Sequence, residues 1–202
     1  TSAYEEAFKK LDLLVTIEIA MTETAFLSHY ILPARSAFEK WDATFFSLTF
    51  PETYFQLRHP YCEVRGESLE EGEIYTRLAE ALGLMPPIPE PMLQAGLKVN
   101  RKAFASELVE WMKQDKKRTG LLPFVLAKTL GQGMKSSHLA SIWGLFAMYP
   151  QHAAGDLTRA GYEVTAFLGD SLFQRLLDHP EGIVIGRLDP DNNLKKLKLQ
   201  RK

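Results

Sequence analysis

Residues 11–39, LDLLVTIEIAMTETAFLSHYILPARSAFE, decide how this chain is read. Leu13-Leu14-Val15-Thr16-Ile17 is a short apolar run rich in β-branched side chains, and it predicts a strand buried on both faces. Glu18 ends that run. Thr22-Glu23-Thr24 is a cap-like cluster that predicts a short helix through Ala25, Phe26 and Leu27. Tyr30-Ile31-Leu32 then predicts a second strand, closed by Pro33, which has no N–H to give to a ladder. Strand, short helix, strand is the grammar of an α/β fold. In an open α/β sheet ligands sit beyond the carboxyl ends of the strands, often on backbone N–H groups at a helix N-terminus. Glu18 and Thr22 fall at such a position.

Upstream, Ser2 and Glu5 have capping-box spacing, and Tyr4, Ala7, Phe8 and Leu11 share one helical face. Downstream, residues 37–64 are crowded with aromatic side chains, among them Phe38, Trp41, Phe45, Phe46, Phe50, Phe55 and Tyr61. They read as core under an irregular cover, or as the lining of a substrate funnel. Tyr54 to Arg58 alternates like a strand and His59-Pro60 closes it. A helix follows, with Ser68 and Glu71 as its capping box, Tyr75, Leu78, Ala79 and Leu82 as its buried stripe and Gly83 just past its end.

Four prolines then fall between Pro86 and Pro91, a polyproline-like connector. Beyond it the periodicity is helical. Phe104, Leu108, Trp111 and Met112 form one stripe, and Pro123 opens a helix that Gly131-Gln132-Gly133 breaks. Leu139, Ile142, Trp143 and Phe146 form another, stopped by Pro150; Ala153 to Tyr162 is a further helical candidate, interrupted by glycine; Asp170 caps a helix carrying Leu172, Phe173, Leu176 and Leu177. Ile183-Val184-Ile185-Gly186 returns to strand. The expected division is an α/β part over 1–85, a connector over 86–91, a helical module over 92–182, and a strand and tail over 183–202. The fold class is therefore α/β, a partial open Rossmann-like sheet followed by a mainly helical part.

Composition excludes several classes. With 24 basic and 25 acidic side chains in 202 residues, the charge balance gives no reason to expect nucleic acid or an anionic membrane surface. The lone cysteine, Cys62, excludes an intrachain disulfide and a cluster ligated by this chain's cysteines alone. No apolar run approaches the roughly 20 residues of a membrane span, and no signal peptide is visible. The five histidines are dispersed without i, i+3 or i+4 pairs, so no metal site is assigned. His59 and Cys62 lack an orienting third group, so no catalytic residue is assigned either. The lysines at 195, 196, 198 and 202 read as a solvated face. The start at Thr1 and the end at Lys202 both look cut.

Met21-Thr22-Glu23-Thr24-Ala25, Leu32-Pro33-Ala34 and Glu39, with the Gly66-Glu67 turn and the helix from Glu73-Ile74-Tyr75 to Leu82-Gly83, resemble the signature of the molybdopterin-dependent oxidoreductases. These form the DMSO reductase and formate dehydrogenase superfamily. The resemblance covers residues 1–85 and implies an internal fragment. By position, Glu18 matches the family's acidic residue, usually Asp, and Thr22 its threonine, which hydrogen-bond the guanosine part of molybdopterin guanine dinucleotide. Thr24 lies in the same cluster and is carried with them as cofactor-binding. Glu39 matches an acidic position and is read as a structural hydrogen-bonding residue.

The sequence departs from the family at Ile17, where many members have Gln, and at His29, where most have Asp. Read without the family, Glu18 is a solvated strand end and Thr22 a plain N-cap. The resemblance further implies a molybdenum or tungsten centre. It places an iron–sulfur domain, the metal-ligating residue and a C-terminal pterin-binding domain outside these 202 residues. The partners implied are those remaining domains and a redox partner subunit. The alternative is that the helical part is an interaction module for such a subunit and the α/β part has lost cofactor binding.

Overall fold

Helix α1 (Ser2–Phe8) precedes strand β1 (Val15–Glu18), helix α2 (Glu23–Leu27) and strand β2 (Tyr30–Pro33). Residues 19–29 are the whole crossover, and they return the chain so that β1 and β2 pair in parallel, Val15 opposite Tyr30 and Glu18 opposite Pro33. These elements belong to a computed structural model that describes residues 2–44 and 51–188. Pro33 ends β2 without ending its pairing. Its carbonyl accepts from Leu69 N–H and Arg35 N–H donates to Leu69 O, so Leu69 bridges Ala34 in parallel.

The α/β class expected from the sequence is what the chain adopts, with one difference in the sheet. Both faces of β1 were expected to be buried, yet Val15 is exposed and Thr16, Ile17 and Glu18 are half-buried. The reason is geometric: among the described residues the sheet has two strands, and a pair that narrow has no second layer on each side. Helix α1 likewise buries none of its residues, and Glu5 accepts from Lys9 instead of closing a capping box.

Two antiparallel pairs follow. Strand β3 (Asp42–Ala43) pairs with β5 (Leu57–Arg58), and β4 (Glu52–Phe55) pairs with β6 (Ile183–Arg187). The alternating run expected over 54–58 is thus divided at Gln56 between two sheets. Phe45, Phe46 and Phe50, and the lysines at 195, 196, 198 and 202, lie outside the described residues. Of the remaining aromatics of that segment, Phe38 and Tyr61 are exposed, while Phe55 meets Phe146 edge to face at 5.0 Å.

Helix α3 (Glu71–Ala81) ends as expected. Gly83 has φ +68, and Leu84 N–H and Gly83 N–H return to Ala79 O and Glu80 O, the Schellman arrangement. Its start and its orientation differ. The N-cap is Glu70, not Ser68, whose hydroxyl donates to Arg65 O. Of the expected stripe Ala79 is buried, while Tyr75, Leu78 and Leu82 are 52%, 43% and 72% exposed, and Ile74 and Thr76 are buried in their place. The rotation follows from contacts at both ends. A Cβ on Gly72 would stand 2.7 Å from Ser137 Oγ, so this side lies against the next helices, and Glu80 is ion-paired with Lys128.

The remaining helices carry the apolar core: α4 (Glu90–Leu97), α5 (Arg101–Gln114), a 3-10 turn (Lys116–Leu121), α6 (Leu122–Lys128), α7 (Leu130–Met134), α8 (Ser137–Arg159) and α9 (Leu168–Asp178). Phe104, Trp111, Leu130, Trp143, Leu157 and Phe173 are fully buried in it, each contributing about 1.5–3 kcal/mol by area. Three sequence expectations change here. Helix α4 begins inside the proline segment, at Glu90, because Pro91 sits in its first turn, where a missing N–H costs nothing. Gly131 and Gly133 lie within α7; the breaks fall instead at Thr129 and at Lys135, which adopts φ +57. Asp170 lies in the first turn of α9 rather than at its N-cap, which is Phe167.

The helical candidate from Ala153 is present, joined to the one before it without the expected stop at Pro150. Helix α8 continues through it to Arg159 and bends at Ala153, whose φ and ψ are −123° and 20°. Pro150 has no N–H for the carbonyl of Phe146, and that carbonyl is where α9 crosses: an added Cβ on Gly169 would overlap Phe146 O. Gly169→Ala should therefore destabilise the chain by about 2–3 kcal/mol through forced separation of α8 and α9. Gly155→Ala, with only the flexible end of Arg159 nearby, should be neutral or stabilising by up to about 1 kcal/mol. Urea denaturation of the two variants beside wild type measures both.

Candidate functional site

The carboxyl end of β1 and the first turn of α2 form the candidate site. Ala20 O accepts from Thr22 N–H, a tight turn that brings the chain from the strand into the helix. Thr22 is extended (φ −87, ψ 168) and its hydroxyl accepts from Ala25 N–H at 3.3 Å, so the expected N-cap is present. Glu18 is half-buried, and its Oε1 accepts from Ile19 N–H at 2.9 Å. Thr24 is exposed on α2, and its carbonyl accepts from Ser28 Oγ. The three residues singled out in the sequence are thus brought to one end of the parallel pair, none of them deep in apolar packing.

The two departures from the family pattern occupy definite places. Leu14 N–H donates to His29 Nδ1 at 2.9 Å, and His29 N–H returns to Leu14 O at 2.9 Å. His29 therefore closes the entry to β1 and β2 with an acceptor, as a carboxylate would. Ile17 is half-buried in β1 opposite Leu32. Glu39 is a hydrogen-bonding residue: Ser36 N–H and Oγ donate to its Oε2, and Arg65 N–H to its Oε1. The Ser36 backbone bond above all holds its carboxyl below the usual value. His59 stacks on Trp41 at 5.0 Å, and Cys62 is exposed. Among the described residues no group of acidic, histidine and cysteine side chains is placed to hold a metal, and no helix is long and apolar enough to cross a membrane.

Sequence reasoning missed the polar lock beneath this site. Glu70 is 2% exposed, and its carboxylate accepts from Ser136 Oγ (2.8 Å), Ser137 Oγ (2.8 Å) and His138 N–H (3.0 Å) at the start of α8. Arg35, two residues past β2, stands 3.5 Å from the same carboxylate. Next to it Lys40 donates to both oxygens of Glu71, at 2.5 and 2.6 Å, and His138 Nε2 lies 3.2 Å from Glu71. Burial acts to raise the Glu71 carboxyl, but the Lys40 hydrogen bond, its own backbone N–H and the charges of Lys40 and His138 hold it below the ordinary value. The signal available in the sequence was the adjacent acids Glu70-Glu71 in front of Gly72, which a capping-box reading absorbed.

Over part of its length this chain is similar to known oxidoreductases. It is 34% identical over 83 residues to "Probable oxidoreductase YyaE" of Bacillus subtilis, covering 41% of this chain and 12% of that one. It is 44% identical over 79 residues to the F420-dependent formate dehydrogenase subunit alpha of Methanocaldococcus jannaschii, covering 39% and 11%. It is 37% identical over 78 residues to the respiratory nitrate reductase subunit alpha of Haloferax mediterranei, covering 39% and 8%. The match spans about a tenth of these curated relatives. No family model matches the chain, and no solved structure matches it.

Removing the Glu70 carboxylate leaves Arg35 and the first turn of α8 without their buried partner, so Glu70→Ala should cost about 3–5 kcal/mol in denaturant unfolding. The pH response should be visible at Glu71. A lowered carboxyl pKa stabilises the fold above the unfolded value of about 4.3 and ceases to do so as pH falls through the lowered folded value. The melting temperature of wild type should therefore exceed that of Glu71→Gln at pH 7, and the gap should narrow steadily below pH 4.

Proposed function

We propose that this chain is an internal portion of a molybdopterin-dependent oxidoreductase, in which β1, α2 and β2 supply part of the wall around the guanosine end of molybdopterin guanine dinucleotide. The observation that carries the reading is the parallel strand, helix, strand unit with Glu18 and Thr22 at its carboxyl end. The partial similarity to formate dehydrogenase and nitrate reductase alpha subunits supports it. The donor set also fits. Glu18 keeps one carboxylate oxygen beyond the bond to Ile19, enough to accept from a guanine edge or a ribose hydroxyl. The Thr22 hydroxyl accepts from Ala25 and still has its proton to give, and Thr24 is exposed two residues further on. The cofactor would supply the two-electron redox chemistry at molybdenum or tungsten. This chain's residues would bind and orient the nucleotide end, and its helical part would dock on the remaining domains.

A second reading, a helical interaction module whose α/β part has lost cofactor binding, is favoured by one observation. Thr22 and Glu18 already bond to backbone N–H groups of their own turn, as a cap and a strand end would. One titration separates the two. GDP added to the chain should bind weakly, in the high micromolar to millimolar range expected of a partial site. Glu18→Ala and Thr22→Ala should each weaken it at least tenfold while leaving the circular dichroism spectrum unchanged. Equal absence of binding in all three would favour the interaction module.

A further inference from the structure

A polar cleft of about 440 Å³ lies where α3 faces the corner formed by α6, α7 and the start of α8. It includes none of Glu18, Thr22 and Thr24. Four cationic side chains from four segments line it: Arg35 after β2, Arg77 on α3, Lys128 at the end of α6 and Lys135 between α7 and α8. Three carboxylates, Glu70, Glu73 and Glu80, line it too, so one positive charge is in excess.

The partners of these groups sharpen that excess. On the rim Arg77 is paired with Glu73 and Lys128 with Glu80. On the floor Glu70 is satisfied without Arg35, because it already accepts from Ser136 Oγ, Ser137 Oγ and His138 N–H. Arg35 stands 3.5 Å from that carboxylate, too far for a strong charge-assisted hydrogen bond, and among the described residues its side chain has no other partner. That side chain is 20% exposed, and its Nε is buried with no acceptor. A guanidinium has five donors in a fixed fork, and a largely buried one with none of them well used has bonds that an acceptor from outside the chain would complete. Lys135 and Gln132 are exposed on the rim and make no side-chain bond among the described residues. Their place is fixed by the backbone: Lys135 ends α7 in the left-handed conformation, its N–H donating to Gln132 O and Ser136 N–H to Gly131 O.

We propose that this cleft binds a phosphoryl group, with Arg35 as the fork that engages two of its oxygens and Lys135 and Gln132 as donors from the rim. A tetrahedral dianion offers acceptors on every side, as donors arriving from a floor and a rim require, whereas a planar carboxylate is met by a single fork. The exposed pair Arg77–Glu73 contributes little by itself and can re-pair as the anion enters. The proposal stands whether or not the cofactor reading does, since its probe carries no guanosine.

The test is calorimetric titration of the full chain with inorganic phosphate. Saturable binding is expected with a dissociation constant of about 0.1–5 mM. Arg35→Lys keeps the charge opposite Glu70 but loses the fork, and it should weaken binding about fivefold or more with an unchanged circular dichroism spectrum. Lys135→Asn removes a charge at an exposed position with a residue that tolerates the left-handed conformation, and it should weaken binding about threefold or more. Lys113→Ala, on the far side of α5 from any of these groups' partners, should bind as wild type. Glycerol 3-phosphate distinguishes the sources: binding equal to that of inorganic phosphate makes free phosphate the ligand, and tighter binding makes it the end of a phosphomonoester. Absence of saturation up to about 20 mM overturns the proposal. So does binding indifferent to both Arg35→Lys and Lys135→Asn, or full displacement of phosphate by an equal concentration of acetate.

Discussion

A buried carboxylate, Glu70, ties the end of the parallel strand pair to the start of helix α8. Glu70 sits at the N-terminus of the 23-residue helix α8 and accepts two serine hydroxyls and a backbone N–H there, while Arg35 approaches it from the end of β2. Helix N-termini carry unsatisfied N–H groups and partial positive charge, so a buried acid is well placed at one. Its desolvation is severe, and the geometry repays it only because every partner is present together. Arg35 and the first turn of α8 are fixed relative to each other by this requirement.

The division of labour between apolar and polar forces follows from where the large side chains lie. The core runs through α4 to α9 and β6, with Leu57 reaching it from β5. The parallel pair β1 and β2 contributes no large side chain to it, and Tyr4, Leu13, Ile19, Phe26 and Tyr30 remain exposed. What holds that pair to the helices is charged and directional: Arg35 on Glu70, Lys40 on Glu71, and the backbone bridge at Leu69. Such ties define orientation sharply and bury little area. They suit a unit whose candidate site must point one way, and they leave its apolar surface for something else to cover.

The parallel unit was legible in the sequence because its cues are local. A β-branched run, a Thr cap and a proline stop each act within a few residues, and the structure puts β1, α2 and β2 where those cues fall. Glu18, Thr22 and Thr24 converge for the same reason. The rotation of α3 was not legible. Of the stripe read from its sequence only Ala79 is buried; Tyr75, Leu78 and Leu82 gave way to Ile74 and Thr76 on the side that lets Gly72 approach Ser137. Pro150 misled for a related reason. A proline ends an isolated helix, but here Ala153 absorbs the bend and α9 occupies the space beside the freed Phe146 carbonyl. Glu70 and Arg35 are 35 positions apart and neither belongs to a periodic pattern, so only the fold could bring them together.

The bend at Ala153 makes α8 serve two neighbourhoods. Its first half meets α6 and α7 near Glu70, and beyond the bend Arg159 holds the carbonyl of Arg187, while Tyr149 reaches Ile185 just before it. A straight rod of this length would extend about 35 Å. Angled, it acts as a crank, one arm seating the acid at Glu70 and the other meeting the path of β6.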